Sequence, residues 1–248
     1  IKKNQSDREN VKFFNICVDN FFTNPDKIRE YGLSLDYKPD TDGRWPGVRS
    51  PYLHNIDEEL NKLILSKIFR AHYPGNKNHI SWGTSMVCFH KTKSWGDKAP
   101  NEGWVHVDDD QVLAGLIYLT PDCNLEGGTN VYQLKDEWKK EHDESIMQRQ
   151  KRLLYTNSPY FNKDKYIEEL KNYNDRFNIV TKFNNVYNRM VMWSGSEYHG
   201  ANSFKGFDNE ERLTLLFFIN GIKVDAPVPI DVVREIDEDI ESKIATLK

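Results

Sequence analysis

The sequence has little cysteine and no long apolar run. Its three cysteines, Cys17, Cys88 and Cys123, are an odd and widely spaced set without a CxxC pair. This pattern excludes a disulfide scaffold and is typical of reduced thiols, so we expect a cytoplasmic protein. No stretch reaches the roughly 18 apolar residues of a membrane helix, and the polar first ten residues do not resemble a signal peptide. We therefore expect no membrane partner.

An excess of basic residues is also missing. Lysine and arginine number 34 against 38 aspartates and glutamates, which makes the net charge −4. Such a chain has no general attraction to phosphate backbones, so the composition argues against a nucleic-acid partner. The mean hydropathy of −0.74 is low, but 12% aromatic residues supply large packing groups and argue against global disorder. The length suits one domain, and we expect residues 1–248 to form it.

Apolar and alternating stretches predict a mainly β fold with flanking helices. Residues 11–80 should hold an N-terminal strand and supporting helices. One helix is predicted near residues 25–35 and a second over 56–72, where a core stripe recurs at helical spacing: Ile56, Leu60, Leu63, Ile64 and Ile68. Residues 81–220 carry the main strands, and residues 226–248 are predicted to form a C-terminal helix that docks on the domain or on another subunit, as in a homodimer.

Two short motifs offer metal-ligating side chains. His106 and Asp108 are two residues apart, so on an extended strand both side chains point to the same side. His199 follows a short strand predicted near residues 188–195 and lies just past its end. Two imidazoles and one carboxylate on one face of a metal leave three positions open, an arrangement typical of non-haem Fe(II) that activates oxygen. His106, Asp108 and His199 are therefore the candidate metal ligands.

A similar motif, His142-Asp143-Glu144, lies in the charged run of residues 135–152. We expect that run to be a solvated helix, so the motif is interpreted as a decoy without metal. The remaining helical or loop histidines are expected to be surface residues or hydrogen-bonded structural residues: His54, His72 and His79.

Arg212 opens a strongly apolar strand predicted over residues 212–220. A cation in that position needs a partner, and a guanidinium pairs bidentately with a carboxylate even when it is partly desolvated. Arg212 would then be the anchor for an acidic ligand. The alternatives are that it caps a sheet edge or pairs with Glu210 or Glu211, and the rival anchor is Lys205 in the preceding loop.

Over residues 81–220 the sequence resembles the Fe(II)/2-oxoglutarate-dependent oxygenases, particularly the prolyl-4-hydroxylase-like branch. Members carry H-x-D, a distal histidine and then a cation that holds the distal carboxylate of 2-oxoglutarate, which His106, Asp108, His199 and Arg212 match in order. Tyr118 matches a tyrosine that hydrogen-bonds that carboxylate in this branch. A core tyrosine with its hydroxyl bonded to backbone is the alternative for Tyr118.

The resemblance implies a double-stranded β-helix core, also called a jelly roll and cupin-like. It implies Fe(II), 2-oxoglutarate as cosubstrate and O2, with ascorbate as an optional addition. The reaction would be hydroxylation of an unactivated C–H bond in peptidyl proline or another amino-acid substrate, so the substrate is a small molecule or a peptide. Asp108 argues against a halogenase, because related halogenases have a small residue there. The alternative is a non-catalytic cupin-type module that binds a metal or carboxylate.

Two further segments have open interpretations. Residues 40–51 contain Arg44, Trp45 and Arg49, which either contact substrate at the mouth of the site or belong to a loop that the tryptophan pins across the barrel. Residues 135–176 form a helical insertion that serves as a lid, as an interaction surface for a peptide or partner chain, or as a cover for one barrel face.

Overall fold

The computed structural model of the chain describes residues 13–73, 79–94, 101–108, 113–205 and 211–225. The helix predicted over residues 226–248 and the start of the strand predicted from residue 11 lie outside these ranges. The described residues form twelve strands: β1 Ile16–Val18, β2 Lys38–Pro39, β3 Val48–Arg49, β4 Ile80–Ser81, β5 Thr84–Thr92, β6 Leu113–Tyr118, β7 Thr129–Leu134, β8 Phe177–Phe183, β9 Met190–Ser194, β10 Tyr198–Ala201, β11 Arg212–Asn220 and β12 Lys223–Val224.

Helices flank the strands at two places in the chain. Their bounds are α1 Pro25–Leu33, α2 Leu53–Ile56, α3 Glu58–Phe69, α4 Ser145–Tyr155 and α5 Lys163–Asn174. The Asn24 side chain caps the start of α1 by accepting a hydrogen bond from the backbone N–H of Lys27. Across the described ranges, no helix combines the length and apolar character needed to cross a bilayer.

Two antiparallel sheets face each other. The larger has the order β1-β9-β6-β11-β5-β3-β2, and the smaller has the order β10-β7-β8. From β5 to β11 the chain passes repeatedly between the two sheets, with β6, β9 and β11 in the larger and β7, β8 and β10 in the smaller. The segment before β6 joins the smaller sheet through a backbone bridge between His106 and His199. This order is that of a double-stranded β-helix, or jelly roll, which confirms the predicted fold class.

The inner core lies between the two sheets. In the central strand β11, Leu216 is opposite Cys88 of β5 and Leu116 of β6, so all three side chains point to one face. By the same period of two, Arg212 at the start of β11 shares that inner face. The buried side chains of this core are Cys88, Ala114, Leu116, Tyr118, Val131, Phe183, Val191, Trp193 and Leu216.

A second core forms where α1 and α3 cover the outer face of the larger sheet. The predicted stripe on α3 is only partly correct. Ile64 and Ile68 are buried, but Ile56 and Leu63 are 44% and 62% exposed. Leu65 and Phe69 occupy the buried face instead. The helix also begins later than predicted, because Asp57 caps it by accepting a hydrogen bond from the backbone N–H of Leu60.

The insertion at residues 135–176 packs against the smaller sheet and forms a third core. The prediction of a solvated helix over residues 135–152 is wrong. A 3₁₀ turn at Asp136–Trp138 precedes α4, and α4 buries one face that includes Met147, Lys151 and Leu154. Helix α5 buries Tyr166, whose hydroxyl accepts a hydrogen bond of 2.9 Å from the indole N–H of Trp104. The insertion therefore contacts the segment that leads into His106.

His72 follows α3, and its imidazole is buried without a hydrogen bond to any described residue, which corrects its interpretation as a surface or hydrogen-bonded structural histidine. Its ring is 9% exposed and lies edge to face with Phe13, at 4.8 Å between ring centroids. Neither ring nitrogen has a hydrogen-bond partner among the described residues. Burial lowers the pKa of His72 to about 4. The folded protein therefore holds this imidazole neutral at pH values where an unfolded histidine is protonated.

We predict that His72 makes the unfolding free energy of the metal-free protein depend on pH. Because its folded pKa lies below the unfolded value near 6.5, this contribution is complete above pH 6.5 and is lost as the pH falls toward 4. In the His72→Phe variant, the loss of unfolding free energy between pH 7.5 and pH 5 should be smaller than in the wild type by about 1–2 kcal/mol. Urea unfolding at both pH values measures it, and an unchanged pH dependence would contradict the prediction.

Candidate metal centre and its cavity

Two imidazoles lie side by side because their backbones pair. His106 donates its backbone N–H to the carbonyl of His199 at 2.9 Å, and His199 donates to the carbonyl of His106 at 2.8 Å. Residues paired in this way in antiparallel strands are directly opposite and point to one face. The two ring centroids are 4.5 Å apart. His199 lies past the end of β9, as predicted, but within a strand of its own, β10.

Each imidazole is oriented by a hydrogen bond to nearby backbone. Nδ1 of His106 donates to the carbonyl of Trp104 at 2.9 Å, and Nδ1 of His199 donates to the carbonyl of Glu197 at 3.1 Å. A carbonyl oxygen only accepts, so the proton of each neutral ring is on Nδ1. The lone pair of each ring is then on Nε2, and such a bond to the distal nitrogen is what orients metal-ligating histidines.

Asp108 completes the group. Its Oδ2 atom is 3.3 Å from Nε2 of His199. That oxygen is buried and has no hydrogen-bond partner among the described residues. Burial would raise the pKa of Asp108, but the neighbouring His199 and His106 outweigh burial and lower it, so the carboxylate is ionised. When His199 is neutral, its Nε2 lone pair faces this carboxylate oxygen with no proton between them, and a bound cation would stabilise that arrangement.

His106 is held neutral, as a metal ligand must be. Burial, the positive charge of Lys151 and the proximity of His199 together lower its pKa to about 3. The ligand atoms of His106, Asp108 and His199 all lie within 4.8 Å of one another. In the part of the chain that the structure describes, no other histidine, cysteine or acidic residues form such a group. The donor set of two imidazoles and one carboxylate fits a divalent transition metal.

The motif at residues 142–144 is not part of this group of candidate ligands. The His142 ring packs among the rings of Tyr173, Phe177 and Tyr198, at centroid distances of 5.4 to 5.6 Å. Its nearest acidic partner is Glu144, at 3.6 Å. His142 is therefore an aromatic core residue of the insertion rather than part of a solvated helix.

A cavity of about 460 Å³ opens at the three ligands. Its walls come from both sheets, from the loop at residues 44–46 and from α4. Trp193 forms the floor beside His199, with ring centroids 4.7 Å apart. The volume is within the range of small-molecule sites.

Arg212 also lines the cavity and is 4% exposed. Its Nη1 donates a hydrogen bond of 2.5 Å to the carbonyl of Gly127. Burial lowers the pKa of Arg212, although a guanidinium still stays charged at neutral pH. The turn that presents the Gly127 carbonyl requires glycine at the next position, Gly128. A Cβ at Gly128 would clash with the carbonyl oxygen of Phe183, at a distance of 1.8 Å. The rival anchor Lys205 is exposed and does not line the cavity.

Tyr118 is fully buried beside Arg212. Its hydroxyl donates to Oγ1 of Thr129 at 3.2 Å, and the guanidinium carbon of Arg212 is 5.9 Å from the centroid of its ring. Thr129 lines the cavity, whereas Tyr118 is part of the inner core. The two hydroxyls and the guanidinium form a polar cluster at the edge of an apolar core.

The sequence interpretation missed Lys151, which is 8% exposed and lines the cavity. A signal was present, since Met147, Lys151 and Leu154 recur at spacings of four and three and share one helix face. On residues 40–51, the structure places Arg44, Trp45 and Arg49 on the cavity wall, as the substrate-contact interpretation of that segment requires.

A family model described as a family of unknown function (DUF6445) matches residues 5–219. No curated protein matches the sequence significantly. Solved structures provide further similar chains. HygX from Streptomyces hygroscopicus, with nickel, 2-oxoglutarate and hygromycin B bound, is 10% identical, with a TM-score of 0.49 over 84% of this chain and 82% of that chain.

A prolyl hydroxylase from Trichoplax adhaerens, in complex with a peptide fragment of the hypoxia inducible factor oxygen degradation domain, is 11% identical, with a TM-score of 0.46 over 83% of both chains. A Pseudomonas putida prolyl-4-hydroxylase is 12% identical, with a TM-score of 0.43 over 84% of this chain and 92% of that chain. The family model covers most of the sequence, and the chain belongs to the DUF6445 family.

Proposed function

We propose that the protein is a non-haem Fe(II)- and 2-oxoglutarate-dependent dioxygenase. Its reaction is hydroxylation of an unactivated C–H bond in an amino-acid substrate, either free or as a prolyl residue of a peptide. The observation that carries the proposal is the convergence of the Nε2 atoms of His106 and His199 with the Asp108 carboxylate in a cavity that also contains buried Arg212.

His106, Asp108 and His199 would hold Fe(II) through two neutral nitrogens and one carboxylate oxygen. This set covers one face of the ion and leaves positions for a cosubstrate and for O2. Bound Fe(II) and 2-oxoglutarate supply the oxidising chemistry, in which O2 converts 2-oxoglutarate to succinate and CO2 and places a hydroxyl group on the substrate carbon.

Arg212 would hold the distal carboxylate of 2-oxoglutarate. A buried guanidinium makes bidentate, charge-assisted hydrogen bonds that water screens little. Its hydrogen bond to the carbonyl of Gly127 fixes the plane of the guanidinium before the ligand arrives. The hydroxyls of Tyr118 and Thr129 are the adjacent donors that would complete the carboxylate site.

The remaining wall would position the substrate and exclude water from the metal. Trp193 packs on the ring of His199, and the apolar side chains of Leu216 and Phe218 line the cavity. A dry, fixed pocket keeps the charges of the ligands strong and directs the reaction to one bound carbon.

The activity is tested by supplying Fe(II), 2-oxoglutarate and ascorbate, which keeps the iron reduced, and measuring succinate release. The expected result is slow succinate formation by the wild-type protein alone, which a correct substrate increases. A protein that takes up no iron and releases no succinate with any candidate substrate would instead be a non-catalytic binding module.

His199→Ala should abolish stoichiometric iron binding, because it removes one of three ligands and the partner of Asp108. Iron content after anaerobic loading, measured by atomic absorption, checks this. His142→Ala is the matched control, since it removes a histidine outside the group, and it should retain one iron per chain. Full iron occupancy in the His199 variant would refute the assigned ligand set.

Arg212→Ala should leave iron binding intact and weaken 2-oxoglutarate binding by roughly a hundredfold, because a buried carboxylate then loses its cation. Titration of 2-oxoglutarate into the anaerobic Fe(II)-loaded protein, followed by the metal-to-ligand charge-transfer absorption, measures the affinity. Lys205→Ala is the control and should bind as the wild type does. If Lys205→Ala weakened 2-oxoglutarate binding and Arg212→Ala did not, Lys205 would be the anchor.

Asn174 at the end of α5 should tune the metal affinity although it is not a ligand. Its Oδ1 accepts from the backbone N–H of Val105 at 3.1 Å, and its Nδ2 donates to the carbonyl of Gly103 at 3.0 Å. Asn174→Ala frees the segment before His106, so we expect metal affinity to fall about tenfold, as for other residues that orient ligands. Competition with a chelator measures it, and unchanged affinity would show that the segment holds its position without this residue.

A further inference from the structure

Arg49 is a half-buried cation that faces the cavity. It is opposite His90 in the pairing of β3 with β5, so it shares the inner face of the larger sheet. Its guanidinium carbon is 4.0 Å from the centroid of the Trp45 ring and 5.7 Å from that of Phe218. Within the described ranges Arg49 makes no ion pair and no side-chain hydrogen bond, and its Nε is buried without a partner. Stacking fixes its plane but leaves its donors without an acceptor.

Lys151 is a second such cation, provided by the insertion. It is 8% exposed, lines the cavity from α4, and likewise makes no ion pair or hydrogen bond with the residues that the structure describes. Burial lowers its pKa to about 8, and the charge of Asp108 opposes that effect. Lys151 is thus mostly protonated at neutral pH, and a buried charge without a partner is costly.

The described acidic residues at the mouth form no direct ion pair with these two cations. Asp40 and Asp42 pair with Arg44, at 3.2 Å and 3.5 Å between their carboxylate oxygens and its Nη2. The Arg44 side chain is 59% exposed, whereas the Asp40 side chain is 4% exposed. Among the described residues that line the cavity, Asp108 is the sole acidic side chain.

The proposed cofactors also leave the two cations without counter-charge. The two charges of Fe(II) would be balanced by Asp108 and by one carboxylate of 2-oxoglutarate, and Arg212 would be balanced by the other carboxylate. Arg49 and Lys151 then remain positive on the wall of the cavity. An anionic group is the partner that compensates such a pair.

We propose, on the basis of the function proposed above, that the substrate is a small acid whose carboxylate binds between Arg49 and Lys151. A cavity of about 460 Å³ suits a small molecule. The planar, stacked guanidinium suits bidentate binding of a carboxylate, and a phosphate group offers the same oxyanion chemistry. A free amino acid or similar acid fits this site, whereas a prolyl residue inside a peptide brings no carboxylate of its own.

Propanoate and propanamide test the proposal because they match in size and differ in charge. Each is titrated, with inorganic phosphate as a third probe, into the protein loaded with Ni(II) and 2-oxoglutarate, and calorimetry gives the dissociation constants. Propanoate should bind at least tenfold more tightly than propanamide. Tighter binding of phosphate than of propanoate would make phosphate the preferred oxyanion of the same site. Equal binding of propanoate and propanamide would overturn the proposal.

Four variants locate the effect. Arg49→Met and Lys151→Met should each reduce the preference for propanoate over propanamide to less than about twofold, while Lys205→Met, which removes an exposed cation that does not line the cavity, should retain that preference. Arg49→Lys, which keeps the positive charge, should retain part of the preference for propanoate. Because Arg49 makes no ion pair with the described residues, Arg49→Met should also raise the melting temperature of the metal-free protein, whereas removing one member of a structural ion pair would lower it.

Loading with Ni(II) and 2-oxoglutarate separates the two proposals. Failure of the wild-type protein to bind either would refute the proposed function. Normal loading, with propanoate displacing 2-oxoglutarate or with Arg49→Met abolishing 2-oxoglutarate binding, would assign Arg49 to the cosubstrate and overturn the substrate proposal alone.

Discussion

The hydrogen-bonded pairing of His106 with His199 is the interaction on which the site depends. Two backbone hydrogen bonds hold residues far apart in sequence directly opposite each other, and this fixes both imidazoles on one face. The Nδ1 bonds to backbone then turn both Nε2 atoms toward Asp108. The jelly roll makes this pairing necessary, because the segment before β6 and strand β10 are neighbours in the smaller sheet.

The insertion at residues 135–176 connects fold and site in two ways. Helix α5 supports the segment that leads into His106 through Asn174 and through the contact of Tyr166 with Trp104. Helix α4 brings Lys151 to the cavity, where it lies in the electric field of Asp108. A segment that covers one face of the barrel therefore also sets the charge of the cavity, and that charge favours anions.

The local sequence pattern predicts the strands and the candidate ligands, but it does not predict which residues line the cavity. The apolar run of residues 212–220 and the H-x-D spacing are local features, and both predict the structure well. Lys151 is different, because a lysine in a charged run resembles a solvated residue until the tertiary packing of α4 is known. Leu63 and Leu65 show the same limit, since either can continue an apolar stripe and only the sheet beneath α3 selects Leu65.

The most direct test of the account is the position of the metal itself. Anomalous diffraction from crystals grown with Mn(II), an oxygen-inert substitute for Fe(II), would locate the ion. The account predicts one ion about 2.0–2.3 Å from Nε2 of His106, from Nε2 of His199 and from a carboxylate oxygen of Asp108. An ion bound through Nδ1, or one elsewhere in the chain with these three side chains left unligated, would contradict it.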